Sequence, residues 1–192
     1  MPTNRKVLAV IPARWASARF PGKPIADILG KPMVQWVLEQ VQKASLVSEV
    51  VVATDDQRIC DAVHNFGGKA VMTSHGHQSG SDRAAEVAKK IDCDIVVNVQ
   101  GDEPLISSYN IDLVIKSLLS SPNFPVSTLM IAIRNWSEMF DTNICKVVVD
   151  RKGRALYFTR ATVPYDRDSW SDGSHVIKDG DAKSEVLGYK HI

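Results

Sequence analysis

Cysteine is scarce in this chain. Cys60, Cys93 and Cys145 lie far apart, with no CxxC or CxxH spacing. That argues against a zinc site or a disulfide framework and for reduced thiols. Long apolar runs are also missing. No stretch approaches the roughly 18 residues of a membrane span. The opening Met-Pro-Thr-Asn-Arg-Lys carries no apolar signal-peptide core. An excess of one charge is missing as well: 23 Lys and Arg face 22 Asp and Glu, a net charge of +1. Nothing in that balance points to a nucleic-acid or membrane surface. These absences together read as a cytoplasmic protein. Internal repeats and low-complexity tracts are absent too. What remains is 192 residues, 44% hydrophobic and 23% charged, which suits one globular domain, 1–192, with a sizeable core.

Two familiar phosphate motifs are lacking. No GxGxxG follows the first apolar run, and no GxxxxGK[ST] occurs. The chain does have regular periodicity. Apolar stripes at helical spacing run through Val34/Val37/Leu38/Val41, Ile59/Ala62/Val63/Phe66, Ala84/Val87/Ala88/Ile91 and Ile111/Val114/Ile115/Leu118. Val7–Ile11 precedes them, and Val50–Val52 and Ile95–Val97 lie between them, short and mostly β-branched. Near-continuous apolar strands alternating with amphipathic helices predict an α/β fold whose parallel sheet is covered on both faces. Thr54-Asp55-Asp56 reads as a strand end feeding a helix cap, and Ser107 or Ser108 as the start of a later helix. Val126–Ile133 predicts a strand, and 146–150 with 155–158 a β-hairpin excursion. Residues 166–186 read as a loop, and 187–192 begin another ordered segment.

Ligands of open α/β sheets bind beyond the carboxyl ends of the strands. That rule selects three segments: Ala13 to Lys23, Thr54-Asp55, and Gln100-Gly101-Asp102. The first bears Arg14, Arg19 and Lys23 on one Gly/Pro-bounded loop, and three fixed cations so placed call for a polyphosphate. Asp102 is the metal candidate. A carboxylate at a strand end, preceded by a glycine that allows close backbone approach, suits magnesium, which is usually held by one or two carboxylates plus substrate phosphates.

Ala-Arg-x-x-Ser-x-Arg-x-Pro-Gly-Lys-Pro at 13–24, Ala-Thr-Asp at 53–55, His-Gln-Ser-Gly at 77–80 with Arg83, and Val-Gln-Gly-Asp-Glu-Pro at 99–104 stand together here. With Tyr-Phe-Thr-Arg-Ala at 157–161 and Val163-Pro164, they resemble the 3-deoxy-manno-octulosonate (Kdo) cytidylyltransferases, also called CMP-Kdo synthetases. The related sialic-acid cytidylyltransferases carry a Gly-Gly-Ser-Lys version of the first loop, which is not what stands here. The resemblance implies a Rossmann-like nucleotidyltransferase fold with a mixed, mostly parallel sheet. It implies CMP transfer from CTP to the anomeric hydroxyl of Kdo for lipopolysaccharide biosynthesis, with Mg2+, in a homodimer.

The same resemblance implies site roles. The nucleotide falls to Ala13, Arg14, Arg19, Lys23, Thr54, His77, Gln78, Ser79, Arg83 and Gln100. The sugar acid falls to Gln100, Arg160 and His191, with Arg160 as a bidentate carboxylate clamp. Arg19, Lys23 and Asp102 are the catalytic set, and Asp102 the metal ligand. The family's Glu-Gln pair and its Gly-Val-Asp-Thr-Pro-like second metal motif do not occur up to Ile192. The expectation is therefore a chain truncated at its C-terminus, poorly soluble, able to bind CTP but catalytically silent. Two alternatives accompany the main reading: a cytidylyltransferase for an 8-amino or nonulosonic sugar acid, and a CTP-binding fragment without turnover.

Overall fold

The run Val-Leu-Ala-Val-Ile-Pro-Ala forms β1 (Val7–Ala13), apolar on both sides because both sides are covered. The computed structural model describes residues 5–16, 20–163 and 186–192. Its contacts divide the chain into two compact units, Met1–Pro125 and Val126–Ile192, where the sequence suggests one domain.

In the first unit β1 is followed by a 3-10 turn (Lys23–Ile25) and a short antiparallel pair, β2 (Asp27–Ile28) and β3 (Lys31–Pro32). Then come α1 (Met33–Val41), β4 (Glu49–Thr54), α2 (Gln57–Asn65), β5 (Ala70–Met72), α3 (Gly80–Ala88), β6 (Ile95–Asn98) and α4 (Ser108–Ser120). The main sheet has the order β5-β4-β1-β6, and its pairings are all parallel. Side chains of β1 alternate between two cores. Val7, Ala9, Ile11 and Ala13 meet Val34, Val37, Ile59, Val63, Ile111 and Ile115 from α1, α2 and α4. Leu8 and Val10 meet Ala84 and Val87 of α3 on the other face. The four helical stripes are thus the four helices that cover the sheet.

Asp56 caps α2 as the sequence suggests, its carboxylate accepting from the Arg58 N–H. Ser107 precedes α4, but its hydroxyl makes no capping bond. Three short elements carry too little periodicity to be read in advance: the β2–β3 pair, β5, and α5 (Trp136–Phe140) of the second unit.

The second unit contains β7 (Met130–Ile133), α5 (Trp136–Phe140), β8 (Lys146–Val149), β9 (Ala155–Thr159) and β10 (Gly188–His191). They form an antiparallel sheet in the order β7-β10-β8-β9. The expected strand at 126–133 is regular only from Met130. The expected hairpin is β8–β9, turned around Asp150, which accepts from the N–H groups of Lys152 and Arg154. Most of the 166–186 segment, and Pro164, lie outside the described residues.

Lys146 heads the apolar run of β8 and is almost fully buried. Its ammonium donates to the carbonyls of Asp141 (2.6 Å), Ile144 (3.0 Å) and Arg160 (3.1 Å). Burial pushes its pKa down, yet three carbonyl acceptors satisfy its three donors. It is a peg that gathers the loop before β8 and the residue after β9. Lys146→Met keeps the apolar stem and removes the donors. The expected outcome is a loss of about 2 kcal/mol, since buried acceptors are left unsatisfied, read as a lower denaturation midpoint in urea.

Candidate functional site

Parallel pairing brings the carboxyl ends of β1, β4 and β6 to the same edge of the sheet, with Ala13 beside Thr54. The β1–β6 ladder ends at Val10↔Asn98 and one further bond, Val99 N to Val10 O at 2.9 Å. Two residues further along β1 stands Pro12, which has no N–H to continue a ladder. The chain after β6 leaves the sheet there and passes close against β1. A Cβ built on Gly101 would lie 2.6 Å from the Pro12 carbonyl oxygen, so only glycine fits without displacement. Gly80, the first residue of α3, faces Pro12 from another direction, its added Cβ 3.2 Å from Pro12 Cγ. Pro12 is therefore the common neighbour of the α3 start and the Gln100–Asp102 loop.

Across this junction Lys23 Nζ donates to Asp102 Oδ2 at 2.6 Å, both side chains partly open to solvent (38% and 51% exposed). The pair joins the loop after β1 to the loop after β6. The backbone before Lys23 is set by Gly22, whose φ of 72° lies in the left-handed region that favours glycine. Gly22 also donates its N–H to Trp15 O at 3.0 Å, closing the loop at its base. Arg14 is exposed and makes no ion pair among the described residues. Arg19 lies outside the described residues. Gln100 is exposed, and its carbonyl accepts from the Glu103 N–H at 3.3 Å.

Beside β4 a second group is buried. Thr54 is fully buried, and its carbonyl accepts from both the N–H (2.8 Å) and the hydroxyl (3.0 Å) of Thr73. Arg83, on α3, is also buried. Its Nη2 donates to Asp55 Oδ2 at 2.7 Å, and its Nη1 to the Thr73 hydroxyl and the Ser74 carbonyl. The guanidinium is thus committed within the protein, and it fixes Asp55 and the 73–74 segment.

Further along, Ser79 caps α3 in a reciprocal box with Asp82. His77 pairs through Nε2 with Glu86. Lys90, the Ser74 N–H and His77 together hold the Glu86 carboxyl down at about 2. Whatever stability that depression adds is complete above the ordinary carboxylate range, and it is lost only as pH falls toward about 2. Gln78 is exposed and, with Gly76, His77, Asp82, Glu86 and Lys89, lines a depression of about 380 Å³.

The remaining sequence candidates belong to the second unit. Arg160 is exposed, and its Nη1 donates to the carbonyls of Thr142 (3.2 Å) and Asn143 (2.7 Å). His191 Nε2 lies 2.7 Å from the Thr128 hydroxyl, and its ring stands edge-on to Phe158 with centroids 5.5 Å apart.

Two participants escaped sequence reasoning. Glu86, on α3, holds His77; its position one turn from Lys90 was the available signal. Trp15 sits inside the basic loop, where an aromatic residue gave no cue beside three cations. Among the described residues no group of three metal-ligating side chains occurs, and no helix is long and apolar enough to cross a membrane.

A family model described as cytidylyltransferase matches residues 8–178. The 3-deoxy-manno-octulosonate cytidylyltransferase of Geotalea uraniireducens (strain Rf4) is 53% identical over 188 residues, covering 97% of this chain and 73% of that protein. The protein of the same name from Geobacter sulfurreducens is 52% identical over 187 residues, with the same two coverages. A solved structure of CMP:2-keto-3-deoxy-manno-octonic acid synthetase complexed with CTP superposes with a TM-score of 0.85 at 42% identity, over 97% of this chain and 71% of that one.

The close approach at Gly101 can be tested directly. Gly101→Ala should destabilise the first unit by about 1–3 kcal/mol, because the added methyl meets backbone and not a flexible side chain. Thermal denaturation reads the stability, and CTP affinity should fall with it as Asp102 is displaced.

Proposed function

The chain belongs to the cytidylyltransferase family, and from that premise we propose that it transfers CMP from CTP to the anomeric hydroxyl of Kdo, giving CMP-Kdo and pyrophosphate. It is a nucleotidyltransferase by family, and the product serves lipopolysaccharide assembly. The observation that supports this reading most is the Lys23–Asp102 pair at the shared strand ends, which sets a phosphate-seeking cation beside a metal-seeking carboxylate.

The reaction is an in-line displacement. The sugar's anomeric hydroxyl oxygen attacks the α-phosphorus of CTP and gives up its proton to water, the bond to the bridging oxygen breaks, and pyrophosphate leaves with the electron pair. Such transfers rest on positioning and charge neutralisation more than on covalent chemistry. We assign Lys23, Arg14 and Arg19 to the triphosphate, with Lys23 and Arg19 taking up charge on the leaving β- and γ-phosphates. The incoming phosphates offer Lys23 a denser anion than Asp102 does, and the exposed pair opens readily.

Asp102 would hold a divalent cation, which we take to be magnesium. The donor set fits: one accessible carboxylate beside a phosphate site is how magnesium is commonly held. When bound, that ion neutralises charge on the phosphate oxygens. Thr54, Ala13, His77, Gln78 and Ser79 are assigned to the nucleoside side. Arg83 is assigned there through Asp55 and the 73–74 segment that it holds. Gln100, Arg160 and His191 are assigned to the sugar acid, on the family resemblance. The same reading makes the protein cytoplasmic and homodimeric. Exposed Leu156, Tyr157 and Phe158 on β9 favour a partner surface.

A second reading, CTP binding without turnover, is kept because no group of three metal-ligating side chains occurs among the described residues. Incubation with CTP, magnesium and Kdo distinguishes the two. CMP-Kdo and pyrophosphate in equal amounts support the first; bound CTP without product supports the second. Supplying 8-amino or nonulosonic sugar acids in parallel tests the choice of sugar.

Two variants probe the roles. Asp102→Asn should keep the fold and lose roughly 10²-fold or more in pyrophosphate release, as removal of a principal electrostatic stabiliser does. Near-parental kcat would overturn the metal assignment. Lys23→Ala should weaken CTP and pyrophosphate more than CMP in calorimetric titration. An equal loss for all three would mean that Lys23 shapes the loop without contacting phosphate.

A further inference from the structure

We propose that Trp15 is a positioning residue for the phosphate loop, a ring clamped by Arg58 so that Gly22 delivers Lys23 to its place. The inference rests on the reading of Lys23 as a phosphate ligand. It concerns a residue that neither the motif comparison nor the chemistry of charge selects.

The clamp is built from one direction by a guanidinium. Arg58 Cζ lies 3.3 Å from the centroid of the Trp15 ring, a stacked cation–π contact. Arg58 is held toward the ring by Asp56, which engages its fork with two bonds: Nε to Oδ1 at 2.8 Å and Nη2 to Oδ2 at 2.6 Å. The fork holds the Asp56 carboxyl below its ordinary range and raises the guanidinium. Asp56 is itself fixed twice. It caps α2 through the Arg58 N–H at 3.0 Å, and its own N–H donates to the Thr54 hydroxyl at 3.2 Å. The ring is thus tied to the carboxyl end of β4.

The ring also contacts Gly22. A Cβ on Gly22 would come within 3.0, 3.2 and 3.3 Å of Cη2, Cζ2 and Cζ3 of Trp15, so the glycine backbone packs directly on the benzo ring. The Gly22 N–H bonds to the Trp15 carbonyl, and the Gly22 carbonyl accepts from Ile25 N–H at 3.0 Å. The turn Lys23–Ile25 therefore starts from a glycine held against an aromatic surface. The α2 helix packs against that turn as well. The sequence of contacts runs Thr54, Asp56, Arg58, Trp15, Gly22, Lys23, Asp102, each link a contact given above.

Glycine at a positive φ is conformationally free unless something holds it. A lysine following a free glycine would sample many positions, and ordering it would be charged against ligand binding. The clamp removes that cost in advance. Its signature is selective: ligands that reach Lys23 should feel its loss, and a ligand that does not should feel little.

The test is calorimetric titration of the chain with pyrophosphate, CTP and CMP in the presence of magnesium, with thermal denaturation of each variant alongside. Trp15→Ala should raise the dissociation constants for pyrophosphate and CTP roughly tenfold, the scale of lost preorganisation, and that for CMP far less. Trp15→Phe keeps a ring for both contacts and should restore most of the affinity. Arg58→Met, which keeps the stem but loses the charge and the fork, should weaken pyrophosphate by about three- to tenfold. Parental pyrophosphate affinity in Trp15→Ala overturns the inference, as does an equal loss for all three ligands, or a failure of Phe to rescue. A parent chain that binds neither CTP nor pyrophosphate would instead remove the nucleotide reading beneath it.

Discussion

The Lys23–Asp102 ion pair is the constraint around which the first unit is arranged. It requires the chain after β1 and the chain after β6 to arrive within hydrogen-bonding distance, from segments 79 residues apart. Three features make that meeting possible. Pro12 ends hydrogen bonding along that side of β1; Gly101 lets the second loop pass against the Pro12 carbonyl; and Gly22 turns the first loop back at a positive φ. The pair itself is solvent-exposed and adds little to stability. Its importance is geometric. It marks where two strand ends bring opposite charges together, the place proposed above for the phosphates.

Everything behind that junction is built to be immobile. β1 is buried at every position but Pro12, with one core against α1, α2 and α4 and another against α3. A strand packed on both faces cannot slip by one residue without exchanging its two sets of side chains. Its register with β4 and β6 is fixed accordingly, and so is the level at which Ala13, Thr54 and Asn98 end. Precision at the site thus derives from the apolar packing behind it.

The sequence made the parallel sheet and its helices legible because β-branched runs and helical stripes are long enough to show a period. It made the strand-end loops legible because glycine, proline and clustered charge stood where strands stopped. Partners were less legible. Arg83 has a nucleotide role only through the family resemblance, and nothing in its sequence surroundings shows that its guanidinium is buried against Asp55, Thr73 and Ser74. Residue type reports a charge but not the carboxylate that claims it in three dimensions. Lys146 is the converse case. A lysine before Val-Val-Val looks like a solvated strand end, and only the fold reveals three carbonyls converging on its ammonium. Trp15 was invisible for the same reason, since its neighbours Gly22 and Arg58 are assembled by the turn and by α2. The pairs β2–β3, at two residues each, are below the length at which alternation can be recognised.

The distribution of ion pairs divides the site into fixed and exchangeable parts. The Arg83–Asp55 pair has side chains only 4% and 13% exposed. Breaking it would strand a charge in a poorly hydrated place, which is strongly unfavourable. On the proposed function, such a pair would stay closed and serve as a wall. The Lys23–Asp102 pair has side chains 38% and 51% exposed, and water compensates both groups when they separate. It can open whenever a better partner arrives for either member. A nucleotidyl transfer needs both kinds. On the proposed assignments, the nucleoside would be held by groups that do not move, while the cation and carboxylate at the phosphates would change partners as substrate enters and pyrophosphate leaves. The chain places its buried pair beside β4 and its exposed pair between the ends of β1 and β6. The same sheet edge thereby holds still on one side and exchanges partners on the other.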